Sequence, residues 1–250
     1  MPKILKTQGM CLASHPVRET TKLVTFYTDN FGKISFIAKG ARNPKSKFGS
    51  ALEIFTLSDL IFYKTESKLT YLLSDATLID AFSDLKSADK FFYASQITEL
   101  ILRATSNEDP NHKLFTLLHS ALRNLETAPD KKSANFPSLI AAYFLKAITL
   151  LGYKPELRHC VLCKNPNPVF FSIEAGGVVC NSNKHHKPQT TVAVEYAEIF
   201  KHLLNTPLSK TINFAISKFT SKLIQEYITY HLEKIELYSL QFNPDSPSNK

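Results

Sequence analysis

The spacing of apolar residues changes near Ser83, and this change constrains the fold more than any other feature of the sequence. From Ile4 to Phe82 the apolar runs are short, and Val24 and Phe26 alternate with their neighbours as in a half-buried strand. After Ser83 the apolar residues recur every three or four positions, which is the period of an amphipathic helix. The sequence therefore predicts a multidomain α+β chain that is β-rich first and helical afterwards.

Five strand-like runs occupy the first segment, residues 1–82. The second and third runs are joined by Asp29-Asn30-Phe31-Gly32, which supplies the turn residues of a hairpin. Five short strands of this kind are typical of a small closed barrel, and we expect an OB-fold here.

The helical patterns fall in residues 83–156 and 190–240, on both sides of a cysteine-rich stretch. The most apolar of them, PSLIAAYFLKAITLLGY, predicts a buried helix that ends at Gly152. We therefore expect one helical domain with an insertion at residues 157–189. The polar tail, residues 241–250, is predicted to be disordered.

Three of the four cysteines lie in the insertion. Cys160 and Cys163 form a Cys-x-x-Cys knuckle, and a turn at Gly176 and Gly177 between two strand-like runs would return Cys180 to their side. Structural zinc is held by four nitrogen or sulfur ligands in a tetrahedron. The spacing predicts a zinc-ribbon-like module, and small buried residues of a metal-free hairpin are the simpler alternative.

The fourth zinc ligand is less well defined, because Asn183 stands where a second Cys-x-x-Cys would end. We expect His185, which leaves the shorter Cys-x4-His loop, with His186 and His159 as alternatives. A catalytic zinc of the deaminase type would need a His-x-Glu sequence, which is absent. A zinc hydrolase or deaminase is therefore disfavoured.

The formal net charge of +8 favours a polyanionic partner. A basic stretch with no acidic residue between Asp29 and Glu53 predicts phosphate contacts, and Phe48 or Tyr27 could stack on a base. A solvated loop whose charges only aid solubility is the alternative. The predicted phosphate contacts are Lys33, Lys39, Arg42, Lys45 and Lys47.

Several classes of protein are disfavoured by what the sequence lacks. It has no Gly-x-x-x-x-Gly-Lys-Ser/Thr phosphate loop, no Gly-x-Gly-x-x-Gly and no Gly-x-Ser-x-Gly. No apolar run approaches the roughly 20 residues that span a bilayer, and the first residues do not resemble a signal peptide. We expect a cytoplasmic protein that is not an enzyme.

The chain resembles the RecO family of bacterial recombination mediators. The resemblance is carried, in the family's order, by KGARNPKSKFGSALEIFTLSDLIFY, AAYFLKAITLLGYKPELRHCVLC and FFSIEAGGVVC. It implies an N-terminal OB-fold, a helical domain and an inserted zinc module. The family's usual second Cys-x-x-Cys is replaced here by Cys180 and a histidine.

The resemblance also implies a function in DNA repair. Proteins of this family bind single- and double-stranded DNA, anneal complementary strands, contact the acidic C-terminal tail of single-stranded-DNA-binding protein, and act with RecR to load RecA. Such a protein would be associated with the nucleoid. Arg123 and Lys146 are candidates for binding the acidic, Phe-ended tail beside an apolar groove. A module that binds structured RNA is the alternative function.

Overall fold

The computed structural model describes residues 3–64, 70–129, 135–181 and 191–232, together with Leu237 and Ser239. The chain divides into two compact units, Met1–Glu126 and Thr127–Lys250. The predicted tail at residues 241–250 lies outside the described residues.

The first unit contains a closed five-stranded barrel with strand order β1-β2-β3-β5-β4. All neighbouring strands are antiparallel except β3 and β5, which run parallel. The closed barrel agrees with the prediction from the five strand-like runs. The strands are β1 (Lys3–Pro16), β2 (Lys22–Thr28), β3 (Gly32–Ala38), β4 (Leu57–Lys64) and β5 (Thr70–Asp80).

The barrel core follows from the alternation of apolar residues along the strands. Phe26, Phe36 and Phe62 point inward and are fully buried, and the rings of Phe36 and Phe62 meet edge to face with centroids 5.1 Å apart. The hairpin between β2 and β3 closes at the predicted Gly32, whose φ of 67° favours glycine. A Cβ there would also lie 2.3 Å from the carbonyl oxygen of Asp109.

Two helices, α1 (Ala88–Ala104) and α2 (His112–Glu126), belong to the same compact unit as the barrel. The segment between them lies against the barrel, since the Glu108 backbone N–H donates to the Lys33 carbonyl (3.0 Å) and Lys64 Nζ donates to the Glu108 carboxylate (2.6 Å). We predicted that residues 83–126 group with the later helices. The compact unit that contains them also contains the barrel, whose strands bind the end of α1 and the segment between α1 and α2.

The second unit combines helices with a three-stranded sheet of order β7-β6-β8. The apolar helix α3 contacts α4, α5 and α6, which explains why most of its residues are buried. The elements are α3 (Phe136–Leu150), β6 (Phe170–Ser172), β7 (Gly177–Val179), β8 (Thr191–Ala193), α4 (Glu195–Asn205), α5 (Leu208–Thr211) and α6 (Lys218–His231). The last helix, α6, begins at Lys218, where Ser217 caps it by accepting from the Thr220 N–H (3.1 Å).

Candidate nucleic-acid interface and candidate metal centre

A cationic loop, residues 39–50, follows β3 in the first unit. Lys39, Arg42, Lys45 and Lys47 are all exposed on it. The backbone is held by turns in which the Asn43 N–H donates to Gly40 and the Ser46 N–H donates to Asn43. The structure thus brings four of the five predicted phosphate contacts onto one ordered, exposed loop.

Arg42 ties the cationic loop to the turn between β1 and β2. Its backbone N–H donates to the Thr20 carbonyl (3.1 Å), and its Nη1 donates to the Arg18 carbonyl (2.8 Å). Because a guanidinium has five N–H donors, the remaining ones stay available for a phosphate. Arg18 is also exposed and adds a further cation at this position. Sequence reasoning missed Arg18, since only folding brings these two turns together.

Phe48 does not have the predicted stacking role. Its side chain is only 3% exposed and packs in the barrel core, and the alternative candidate Tyr27 is fully buried. The Lys47 Nζ lies 5.4 Å from the Phe48 ring centroid, which is within the range of a cation–π contact. Phe48 therefore anchors the cationic loop from below, and no base can reach its faces.

Lys33 does not have the predicted phosphate-binding role either, because its ammonium binds acceptors of the protein itself. Its Nζ donates to the carbonyl oxygen of Leu102 (2.7 Å) and to that of Thr105, at the C-terminal end of α1. A helix ends with carbonyls that have no helical partner, and a cation there is favourable. Burial lowers the pKa of Lys33. We therefore withdraw Lys33 from the set of phosphate contacts.

The three cysteines of the second unit meet in the cysteine module, residues 157–181. The Sγ atoms of Cys160, Cys163 and Cys180 all lie within 4.8 Å of one another, and those of Cys163 and Cys180 are 3.7 Å apart. Two thiolates bound to one zinc at about 2.3 Å in a tetrahedron lie roughly 3.8 Å apart. The spacing of the sulfur atoms thus fits a zinc ion.

Backbone hydrogen bonds explain why these cysteines meet. The Lys164 N–H donates to the Cys160 carbonyl (2.9 Å), and Lys164 takes a φ of 61°, which closes the knuckle. The Val161 N–H donates to the Val178 carbonyl (2.9 Å), which places the knuckle beside β7. Cys180 follows β7 directly, as the predicted hairpin requires.

The electrostatics of the cluster favour one thiolate. Burial acts to raise the pKa of Cys160, but hydrogen bonds from the backbone N–H groups of residues 163, 180 and 162 and from the Cys163 thiol outweigh it and lower the pKa to about 6. The pKa of Cys180 is raised to about 11, by desolvation and then by the neighbouring sulfur atoms. A cation at the centre would relieve this crowding of sulfur ligands.

The predicted fourth ligand His185, its alternative His186 and also Asn183 lie outside the described residues. His159 is described, and its ring is not among the ligand groups that cluster with the cysteines. The described residues therefore supply three possible ligands, and a structural zinc site needs a fourth.

The two candidates for binding an acidic peptide lie in different compact units. Arg123 pairs with Asp80 and, through Nη1, with Glu126 (2.8 Å), and its guanidinium stacks over Phe82 at 4.6 Å. The charge of Arg123 is thus met by carboxylates of its own unit. Lys146 Nζ donates to the Leu204 carbonyl near the end of α4, and burial lowers its pKa.

The geometry defines a two-unit protein in which a closed barrel displays a cationic loop and a helical unit displays a cysteine cluster of metal-binding type. Among the residues that the structure describes, no helix has both the length and the apolar character to cross a membrane. Residues 1–82 match the family model for the N terminal of recombination protein O, and residues 85–241 match the model for its C terminal. The chain belongs to the RecO family.

Curated relatives agree over nearly the whole chain. The DNA repair protein RecO of Thermoanaerobacter sp. (strain X514) is 32% identical over 250 residues, which covers 96% of this chain and 97% of the relative. The DNA repair protein RecO of Caldanaerobacter subterraneus subsp. tengcongensis is 31% identical over 238 residues, covering 92% and 94%. That of Chlorobium limicola is 29% identical over 249 residues, covering 92% and 93%.

Proposed function

We propose that this protein is a recombination mediator that binds single- and double-stranded DNA and anneals complementary strands coated with single-stranded-DNA-binding protein. The observation that carries the proposal is the cationic loop, whose four exposed cations and neighbour Arg18 face solvent without a carboxylate partner among the ion pairs of the described residues. Membership of a family of DNA repair proteins supports it.

Annealing needs no catalysis in the chemical sense. Two phosphate backbones repel each other, and a cationic surface that neutralises both lets base pairing select the partner strand. We therefore propose that the protein is not an enzyme and uses no ATP for this step. The barrel contains one parallel strand pair, β3–β5, and its other strand pairs are antiparallel. We assign this barrel to the OB-fold.

We assign a structural zinc ion to the cysteine module, held by Cys160, Cys163, Cys180 and His185. The 3.7 Å between the sulfur atoms of Cys163 and Cys180 supports this assignment. The ion would join the knuckle to the β6–β7 hairpin and contribute folding free energy to the module.

The partners of a mediator follow from the same proposal. We propose that the protein acts with RecR, contacts the acidic tail of single-stranded-DNA-binding protein, and so promotes the loading of RecA. A cytoplasmic, nucleoid-associated location follows, because the proposed ligand is DNA. Lys146 remains a candidate for the tail contact, with its stem among apolar residues of α3.

The test is annealing of two complementary oligonucleotides coated with single-stranded-DNA-binding protein, without ATP. The triple variant Arg42→Ala, Lys45→Ala, Lys47→Ala should slow annealing, and the slope of log affinity against log salt should fall by about 2.1 for a single strand. The control replaces three other exposed cations of the same unit, Lys6, Lys86 and Lys113, with Ala.

Equal losses in both triple variants would show that net charge alone matters and would contradict the role of the cationic loop. No acceleration by the wild-type protein, with oligonucleotide binding intact, would contradict the mediator proposal. Matched DNA and RNA duplexes in competition then decide the alternative, since only a reader of structured RNA depends on the 2′-hydroxyl groups.

A further inference from the structure

The chain just before the cysteine knuckle runs along the β6–β7 hairpin as an added edge. The Glu156 N–H donates to the Gly176 carbonyl (3.0 Å), and the Val178 N–H donates to the Glu156 carbonyl (2.9 Å). Gly177 is required at this contact, because a Cβ there would lie 2.2 Å from the Glu156 carbonyl oxygen. Glu156 is therefore held against the hairpin through its backbone, and the side chains of Tyr153, Lys154 and Arg158 around it are exposed.

Large side chains on and beside this edge are exposed. Tyr153 is 42% exposed and Leu162 is 43% exposed. Tyr230, from the end of α6, is 54% exposed. The His231 ring lies between these elements and contacts both tyrosines, with centroids 5.1 Å from Tyr230 and 6.4 Å from Tyr153, and its Nε2–H donates to the Ile173 carbonyl (2.7 Å).

Cations accompany the exposed rings. Between residues 153 and 164 the chain carries Lys154, Arg158 and Lys164, and all three are exposed. The single carboxylate of this stretch, Glu156, already accepts hydrogen bonds from the backbone N–H groups of Arg158 (2.8 Å) and His159 (3.3 Å). The stretch thus carries a net positive charge next to the exposed Tyr153.

We propose that this edge surface, formed by Tyr153, Lys154, Arg158, Lys164 and Tyr230, is a second binding site for single-stranded nucleic acid. Cations that track a phosphate backbone, beside rings on which bases stack, are the combination that binds single strands with little sequence preference. The inference rests on the proposed function and extends it, because the site lies in the other compact unit from the cationic loop. A protein with two such sites can hold two strands at once.

A single strand suits this surface better than a protein partner does. The three cations occur within eleven positions of one exposed stretch, and both tyrosine rings contact the His231 ring. A protein partner would have to place apolar side chains against the exposed faces of both tyrosines. A nucleic acid offers a phosphate and a flat base at every step of its chain.

The first test measures binding of a labelled oligo(dT) strand to the full chain by fluorescence anisotropy at several salt concentrations. The double variant Lys154→Ala, Arg158→Ala should lower the salt slope by about 1.4 and weaken binding about 25-fold at 0.1 M salt. The matched control, Lys210→Ala with Lys222→Ala, removes the same charge from exposed positions of the same unit and should leave both values near those of the wild type.

The second test isolates the rings. Tyr230→Ala should weaken binding by about 5-fold or more, the lower end of what base stacking contributes, whereas Tyr230→Phe should retain it. This pair keeps the proposal testable if the double variant fails to fold, because Tyr230 is more than half exposed. An oligonucleotide carrying 5-iodouracil should crosslink to Tyr153 or Tyr230 on irradiation.

The outcomes separate the two proposals. If the wild-type protein binds and the cationic-loop variant is weakened, while the double variant and Tyr230→Ala both match the wild type, the edge surface is overturned and the proposed function stands. If the wild-type protein binds no oligonucleotide, both fail. If the control loses as much affinity as the double variant, the edge surface is also overturned. It is overturned as well if the double variant and Tyr230→Ala bind DNA like the wild type but no longer bind a protein partner.

Discussion

Replacing Lys33 with Met should destabilise the first unit without affecting the binding of nucleic acid. The ammonium donates to the carbonyl oxygens of Leu102 (2.7 Å) and Thr105 at the end of α1. Methionine keeps most of the apolar stem but has no donor, so both carbonyls lose this partner. The prediction separates a structural cation from the exposed cations that follow it in the sequence.

The magnitude follows from the two hydrogen bonds. A hydrogen bond from a charged donor contributes roughly 1.5–3 kcal/mol, so the pair contributes about 3–6 kcal/mol before costs. The burial that lowers the pKa of Lys33 offsets part of this, because the charged form loses hydration. We expect a net loss of about 2–3 kcal/mol, which corresponds to a melting temperature about 6–9 °C lower.

Thermal denaturation and the salt dependence of oligonucleotide binding are measured on the same preparations. Lys33→Met should shift the melting temperature and leave the salt slope unchanged. The matched variant Lys45→Ala, Lys47→Ala should do the reverse, with a slope lower by about 1.4. A Lys33→Met protein that melts like the wild type would contradict the structural role of Lys33. A reduced salt slope in the same protein would make Lys33 a phosphate contact.

Three further perturbations follow from the structure. Cys160→Ser should release zinc, measured by elemental analysis, and lower the melting temperature; purified wild-type protein without zinc would contradict the site. Lys64 and then Tyr71 hold the pKa of Glu108 below its ordinary 4.5, so the stability that Glu108 contributes is lost as the pH falls through the lowered pKa. Glu108→Gln should therefore make the free energy of unfolding less dependent on pH below about 4.5. An unchanged acid profile would refute this. Phe48→Leu should retain binding of oligonucleotides, whereas a stacking role would make that variant bind weakly.

The barrel could be predicted because strand alternation is a local property of the sequence. Val24 and Phe26 show which face is buried, and Gly32 shows where the hairpin turns. The grouping of α1 and α2 with the barrel could not be predicted in the same way. It depends on contacts such as that between Lys64 and Glu108, which are 44 positions apart in the sequence, and no local pattern indicates such a pair.

The cysteine cluster was predictable for a related reason. The Cys-x-x-Cys spacing fixes the knuckle, and the glycines at 176 and 177 allow the hairpin that returns Cys180. The roles of Phe48 and Lys33 were not predictable, because the sequence shows that a residue is aromatic or charged and does not show its direction. Phe48 stands among lysines in the sequence, yet the turn in which the Ala51 N–H donates to its carbonyl (3.0 Å) places the ring inside the barrel.

The number of cations that can contact a nucleic acid depends on whether each side chain points to solvent or to acceptors of the protein. Lys33 and Lys90 each bind two acceptors of the protein, so they should release no counterions on binding. Arg18 and the four exposed cations of the cationic loop remain, and a single strand that contacts only these five should give a salt slope of about −3.5. Simultaneous contact with the three cations of the edge surface should steepen the slope to about −5.6. A titration with oligo(dT) of increasing length measures this slope directly. A slope that stays at about −3.5 at every length would mean that one strand never contacts both surfaces, so the edge surface would have to bind a separate strand.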